Sequence, residues 1–153
     1  MLLSKLEIIN NDTVFAKIES ELNQIFTELG MADPRCNRCS SWLKMLILIA
    51  IHYPSEWNDG HIEYISRYSN ITRERVRQFL WRTAAENWKY SEGREVLCNH
   101  FGDSVEINFT IKSKPNAEEF VTLLADNLRA KYEIQPRGKR LRWSKVNLAM
   151  FCV

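Results

Sequence analysis

Three groups of side chains in this sequence could do chemistry. The densest is Arg73, Arg75, Arg77 and Arg82, with Glu74 and Gln78 among them. A guanidinium fork donates in pairs to guanine N7 and O6, and a glutamine amide pairs in the same way with adenine. Such chemistry is recognition, not catalysis. The second group is cysteine: Cys36 and Cys39 form a C-x-x-C, and Cys98 with His100 forms a C-x-H. Four such ligands could close a zinc site, but the spacing matches no finger pattern. A redox C-x-x-C needs a thioredoxin-like βαβ setting, which is missing here. Reduced thiols without a role are expected, and an oxidising compartment is not indicated. The third group, His52, His61 and His100, is scattered. His61 could touch phosphate at the start of its helix, although solvent exposure is its more ordinary state. There is no glycine-rich phosphate loop, nucleophile–base pair or metal triad. An enzyme is not expected, nor a metal or cofactor.

The arginines need an element to aim them. Thr72 is a good N-cap. Val76, Phe79, Leu80 and Thr83 recur at helical spacing and would face inward. Glu74, Arg75, Gln78 and Arg82 then lie mostly on the other side. A short helix precedes, His61 to Tyr68, with Ile62 and Ile65 as its inner residues, and Asn70 suits the tight turn between them. Helix, turn and basic helix are the layout of a helix-turn-helix, whose second helix, about 72–88, enters the major groove. Basic amphipathic helices are common and most are merely solvated, so the rest of the chain has to support this reading. Trp81 stays open between packing beneath the helix and a sugar-phosphate contact.

The chain of 153 residues is long enough for one domain with a proper core, and its composition (45% hydrophobic, 26% charged) is ordinary for a globular protein. Its longest apolar run, Met45 to Ile51, is far short of a membrane span. The N-terminus lacks a signal peptide's apolar core and cleavage site, so a cytoplasmic protein without a membrane partner is the default. Net charge is only +2. Its distribution is uneven, with acids predominating before residue 60 and from Ser91 to Leu128. Bases gather at 67–89 and after Arg129. Local basic patches on a near-neutral chain suit a polyanion at one face.

Asp12 to Leu29 reads as an amphipathic helix with Val14, Phe15, Ile18, Leu22, Ile25, Phe26 and Leu29 in one stripe, capped by Asp12 and closed by Gly30. Met31 to Ser41 reads as a loop. Trp42 to Tyr53 is apolar nearly all round and reads as a central buried helix ended by Pro54. A short helix is expected at Ser91 to His100, ending at Phe101–Gly102. Val105, Ile107, Phe109 and Ile111 alternate with polar residues, which predicts a strand. Asn116 and Glu119 have capping-box spacing before a last helix reaching about Tyr132. Beyond it, Arg137, Lys139, Arg140, Arg142 and Lys145 interleave with Trp143, Val146, Leu148, Met150 and Phe151. The apolar residues are expected to dock on the domain or on a second subunit, leaving the basic ones near DNA.

Two stretches carry a resemblance. One is T-x-x-R-V with a tryptophan thirteen residues after the arginine: Thr72, Arg75, Val76, Trp88. The other is Phe101–Gly102 followed by K-P-x-x-x-E-F-x-x-x-x-A-D-x-L-R, from Lys114–Pro115 through Glu119–Phe120 and Ala125–Asp126 to Leu128–Arg129. Over about residues 20–132 the chain resembles the DNA-binding effector domain of the sporulation master response regulator of endospore-forming bacteria. The resemblance implies an all-α domain, a compact bundle of about six helices containing a helix-turn-helix, within 1–132. The strand-like segment near 105–111 and the extension 133–153 are additions to that pattern. The family also implies sequence-specific binding of double-stranded DNA and transcriptional control. Self-association on tandem sites through the last helix and contact with RNA polymerase are further candidates. A receiver domain is not expected, since only about twenty residues precede the match.

The family motif after the threonine is A-S-R-V-E-R, whose arginines and glutamate contact bases. Here the positions are Arg73, Glu74, Arg75, Val76, Arg77 and Gln78. Arg75 is kept, Arg77 replaces the glutamate and Gln78 replaces the second arginine, so the preferred site should differ. The expected DNA-binding set is Thr72, Arg73, Glu74, Arg75, Arg77, Gln78, Arg82 and Lys89. Arg73, Arg75, Gln78 and Arg77 are the candidates for base edges. Arg82, Lys89 and Arg67 are the candidates for phosphates. The alternative is a protein-interaction module, a decoy or anti-regulator that pairs with a related full-length regulator.

Overall fold

The stripe that begins at Val14 folds as α1 (Thr13–Glu28). Ile18, Leu22, Ile25, Phe26 and Leu29 are buried, whereas Val14 is 37% exposed and lies outside the core. Gly30 has a φ of 78°, and its N–H donates to the Thr27 carbonyl at 3.1 Å. The Met31 N–H then donates to the Phe26 carbonyl at 2.8 Å. This is the paired closure of a Schellman motif, with both Met31 and Phe26 buried. The computed structural model describes residues 13–31, 37–52, 59–109 and 113–136. The Asp12 cap and the tail beyond Pro136 lie outside them.

Helix α2 (Asn37–His52) starts about a turn earlier than the apolar pattern indicated, which places Cys39 in its first turn. Trp42, Leu43, Met45, Leu46, Ile47, Leu48, Ile49 and Ile51 are all buried. Its earlier start is stabilised from α1, since the buried Ser40 hydroxyl donates to the Met31 carbonyl at 2.5 Å. Lys44 reaches back to Asn23 at 3.0 Å while its ammonium lies 5.8 Å from the Phe26 ring centre, and burial lowers its pKa.

Helices α3 (Asp59–Ser69), α4 (Arg73–Asn87), α5 (Tyr90–Phe101) and α6 (Ala117–Lys131) complete an all-α bundle. Helices α1, α4 and α6 pack on α2, with α3 against α4 and α5 against α1 and α6. The expected capping box opens α6: Glu119 N–H to the Asn116 side chain at 2.8 Å, and Asn116 N–H to the Glu119 carboxylate at 3.1 Å. Near its other end Arg129 donates from Nε to the Ile51 carbonyl at 2.8 Å and from Nη2 to Ala50 at 2.6 Å. Asp126 accepts from Nη1 at 2.8 Å. One guanidinium thus satisfies two of the carbonyls that the end of α2 leaves without helical partners.

The strand expected near 105–111 requires correction. Residues 105–109 form no strand, and none occurs among the described residues; Ile111 lies outside them. The alternation in burial is real, because Val105 is buried and Ile107 and Phe109 are half-buried, while Glu106 and Asn108 are exposed. A connector that lays one side on helices shows the same period as a strand, but a strand also needs a neighbouring backbone to pair with.

Phe109 meets Trp88 edge-on at 5.4 Å between ring centres, and Phe120 does so at 6.5 Å. On α5, a Cβ at Gly93 would lie 2.7 Å from the Trp88 indole. Gly93→Ala should therefore destabilise the fold by about 1–3 kcal/mol through overpacking. The roughly 1 kcal/mol that alanine gains in helix propensity offsets part of this cost, for a net destabilisation of up to about 2 kcal/mol. A lower urea midpoint at unchanged slope is the expected result.

Candidate nucleic-acid interface

The turn between α3 and α4 is tied at several points. Asn70 adopts a φ of 56°, the left-handed conformation that asparagine tolerates. The Ser66 hydroxyl donates to the Ile71 carbonyl at 2.5 Å, and the Ile71 N–H donates back to the Ser66 carbonyl at 3.3 Å. Thr72 is the N-cap of α4, its side chain accepting from the Arg75 N–H at 3.3 Å. Glu74, in the first turn, complements the positive end of the helix.

One face of α4 is committed to the core. Val76 and Leu80 are fully buried, Thr83 is buried with its hydroxyl donating to the Phe79 carbonyl at 2.8 Å, and Phe79 is half-buried. Thr72, Arg73, Glu74, Arg75, Arg77, Gln78, Arg82 and Lys89 are all exposed. The seven from Thr72 to Arg82 are the N-cap and exposed positions of α4. Lys89 stands apart, in the link before α5, beside the exposed Tyr90. The Arg75 guanidinium lies 5.6 Å from the centre of the Phe79 ring. Arg82 pairs with Glu86 at 3.6 Å and Arg67 with Glu63 at 2.8 Å. These exposed pairs contribute little stability and can be exchanged for other anions. Ser66, Arg67, Asn70, Ile71, Thr72 and Arg75 line a shallow depression at the turn. Trp81, undecided from sequence, is 42% exposed and not packed beneath the helix.

A second polar cluster was missed in the sequence. The His100 Nδ1 lies 2.9 Å from Glu21 and its Nε2 lies 2.6 Å from Glu28. Glu21 also accepts from Lys131 and from the Tyr132 hydroxyl, each at 2.5 Å, and Lys131 donates to the His100 carbonyl at 2.8 Å. The cluster joins α1, α5 and α6. The only advance signal was the seven-residue spacing of Glu21 and Glu28 on one helix face, and nothing local pointed to a partner 72 to 79 residues away. Among the described residues no group of histidine, cysteine, aspartate or glutamate could hold a metal. Cys98 is a half-buried free thiol, whereas Cys36 and the side chains of Cys39 and His61 lie outside the described set. No described helix is long and apolar enough to cross a membrane.

Burial alone would raise the Glu21 pKa, but the hydrogen bonds from Lys131, Tyr132 and His100 outweigh it and hold the carboxyl below its ordinary 4.5. Its stabilising contribution is complete above the ordinary value and is lost as pH falls through the lowered one. Burial, with the hydrogen bond to Glu21 and its charge, pushes Tyr132 up from 10.0 to about 12. The neutral phenol's contribution is complete below pH 10.0 and is lost as pH rises toward about 12. Urea midpoints measured across pH should show Glu21→Gln with a shallower acid-side fall than wild type. Tyr132→Phe should flatten the alkaline one.

Compared with protein-family models, curated proteins and solved structures, the chain matches none.

Proposed function

We propose that this chain binds double-stranded DNA sequence-specifically through α4 and regulates transcription. The observation that carries the proposal is the division of α4. Val76, Leu80 and Thr83 are locked into the core, while Arg73, Glu74, Arg75, Arg77, Gln78 and Arg82 are exposed along the same helix, which starts from a capped, tied turn. A helix of this kind fits the major groove, where base edges offer paired donors and acceptors. Arg75 donates to guanine N7 and O6 from its seat on Phe79, with Arg73 and Arg77 as the other guanine readers. Gln78 pairs with adenine, and Glu74 accepts from a cytosine amino group. Arg67, Arg82, Lys89 and helix N-termini take phosphates, which fix register and make affinity fall with salt. The resemblance to the sporulation effector domain supports the same reading. The proposal also places the chain in the cytoplasm, where a regulator would act on tandem sites and alongside RNA polymerase.

A protein-interaction module is the second reading, favoured by the exposed aromatics Trp81 and Tyr90. It requires a partner protein and no duplex affinity. Selection of bound sites from random duplexes, at stated salt, separates the two. On the selected site, Arg75→Ala should cost about 1–3 kcal/mol and relax preference at one base pair. Equal losses on selected and random duplexes would make Arg75 a phosphate contact. Unchanged binding would remove it from the interface.

A further inference from the structure

Tryptophan is highly buried on average, and its exposure on a working surface calls for a reason. Trp81 is 42% exposed on α4, in the row of side chains that faces away from Val76, Leu80 and Thr83. Glu74, Gln78 and Trp81 follow one another at steps of four and three, so they form one stripe along the helix. Seven residues of α-helix advance roughly 10.5 Å. Three base-pair steps of B-DNA advance roughly 10 Å. The stripe therefore spans about three base pairs of groove.

The major groove displays donors, acceptors and one apolar group, the C5-methyl of thymine. Arginine, glutamine and glutamate around Trp81 match the polar features, and none of them matches the methyl. The indole does, because it offers a broad apolar surface and only one donor. Gln78, one turn away, favours adenine, whose partner base carries that methyl. A sugar-phosphate contact would be better served by the neighbouring Arg82, which already lies toward the side of the helix next to Glu86.

Resting on the proposed DNA-binding reading, we infer that Trp81 is a specificity-determining residue that packs on a thymine C5-methyl in the major groove. The ligand feature is chemically defined, so it can be removed without altering hydrogen bonding. Replacing thymine with deoxyuridine deletes only the methyl.

The experiment uses the full chain and the duplex recovered by site selection, with each thymine replaced singly by deoxyuridine. One position should weaken wild-type binding by about fourfold, the effect of burying one methyl group. Trp81→Ala should bind the selected duplex more weakly and lose the difference between thymine and deoxyuridine at that position. Trp81→Leu, which keeps an apolar contact on a good helix former, should retain part of it. Indifference of wild type to deoxyuridine at every position overturns the inference and leaves DNA binding standing. Equal weakening of selected and random duplexes by Trp81→Ala also overturns it, in favour of a backbone contact. If Trp81→Ala leaves duplex binding unchanged, the indole faces a protein and the inference fails. Absence of duplex binding by the wild-type chain overturns both the inference and the function on which it rests.

Discussion

A helix that is apolar nearly all round has to be covered on most sides, and α2 is such a helix. Eight of its large apolar residues are buried, so α1, α4 and α6 are arranged as its walls. This covering leaves a polar problem at the end of α2, where the last carbonyls lack helical donors. Arg129, brought in on α6, supplies two of them from one rigid fork held by Asp126. The same requirement places α4. Its inner residues Val76, Leu80 and Ala84 are fully buried in the shared core, so its orientation follows from how α2 is enclosed.

Much of this was legible locally. The Thr72 cap, the Asn116–Glu119 box and the closing glycine at position 30 are short-range devices, each satisfying orphan backbone groups within a few residues. The inward set on α4 followed from spacing alone, and so did its outward set. What was not legible depended on partners distant in sequence. The early start of α2 relies on Ser40 meeting Met31. The His100 cluster needs three helices to be assembled before its members meet. The run from Val105 to Phe109 was misread because alternation reports a side facing the core and says nothing of backbone pairing. In the candidate site, the spacing of Trp81 from Gln78 put it on the outward side, but how far a large aromatic there lies down on the helix surface was not legible.

The ionic cluster and the surface proposed to bind DNA occupy different parts of this fold. The ionic cluster of Glu21, Glu28, His100, Lys131 and Tyr132 ties α1 to α5 and α6, whereas the exposed arginines are on α4. Trp88 forms the link between the two regions. It ends α4, lies against Gly93 of α5 and stacks edge-on with Phe120 of α6. Movement of α4 would therefore have to disturb an aromatic contact in the core.

The division of α4 into a packed and a free face also bears on how such a chain can change over generations. Side chains that share no contacts contribute independently, so their replacements add up without hidden penalties. Arg73, Glu74 and Gln78 are exposed and can drift with little cost to folding. Arg75 is different, because it leans on Phe79, which is itself packed against the core. The setting of Arg75 is thus tied to the packing of the helix itself. The exposed residues around it can be exchanged while the scaffold beneath them stays the same.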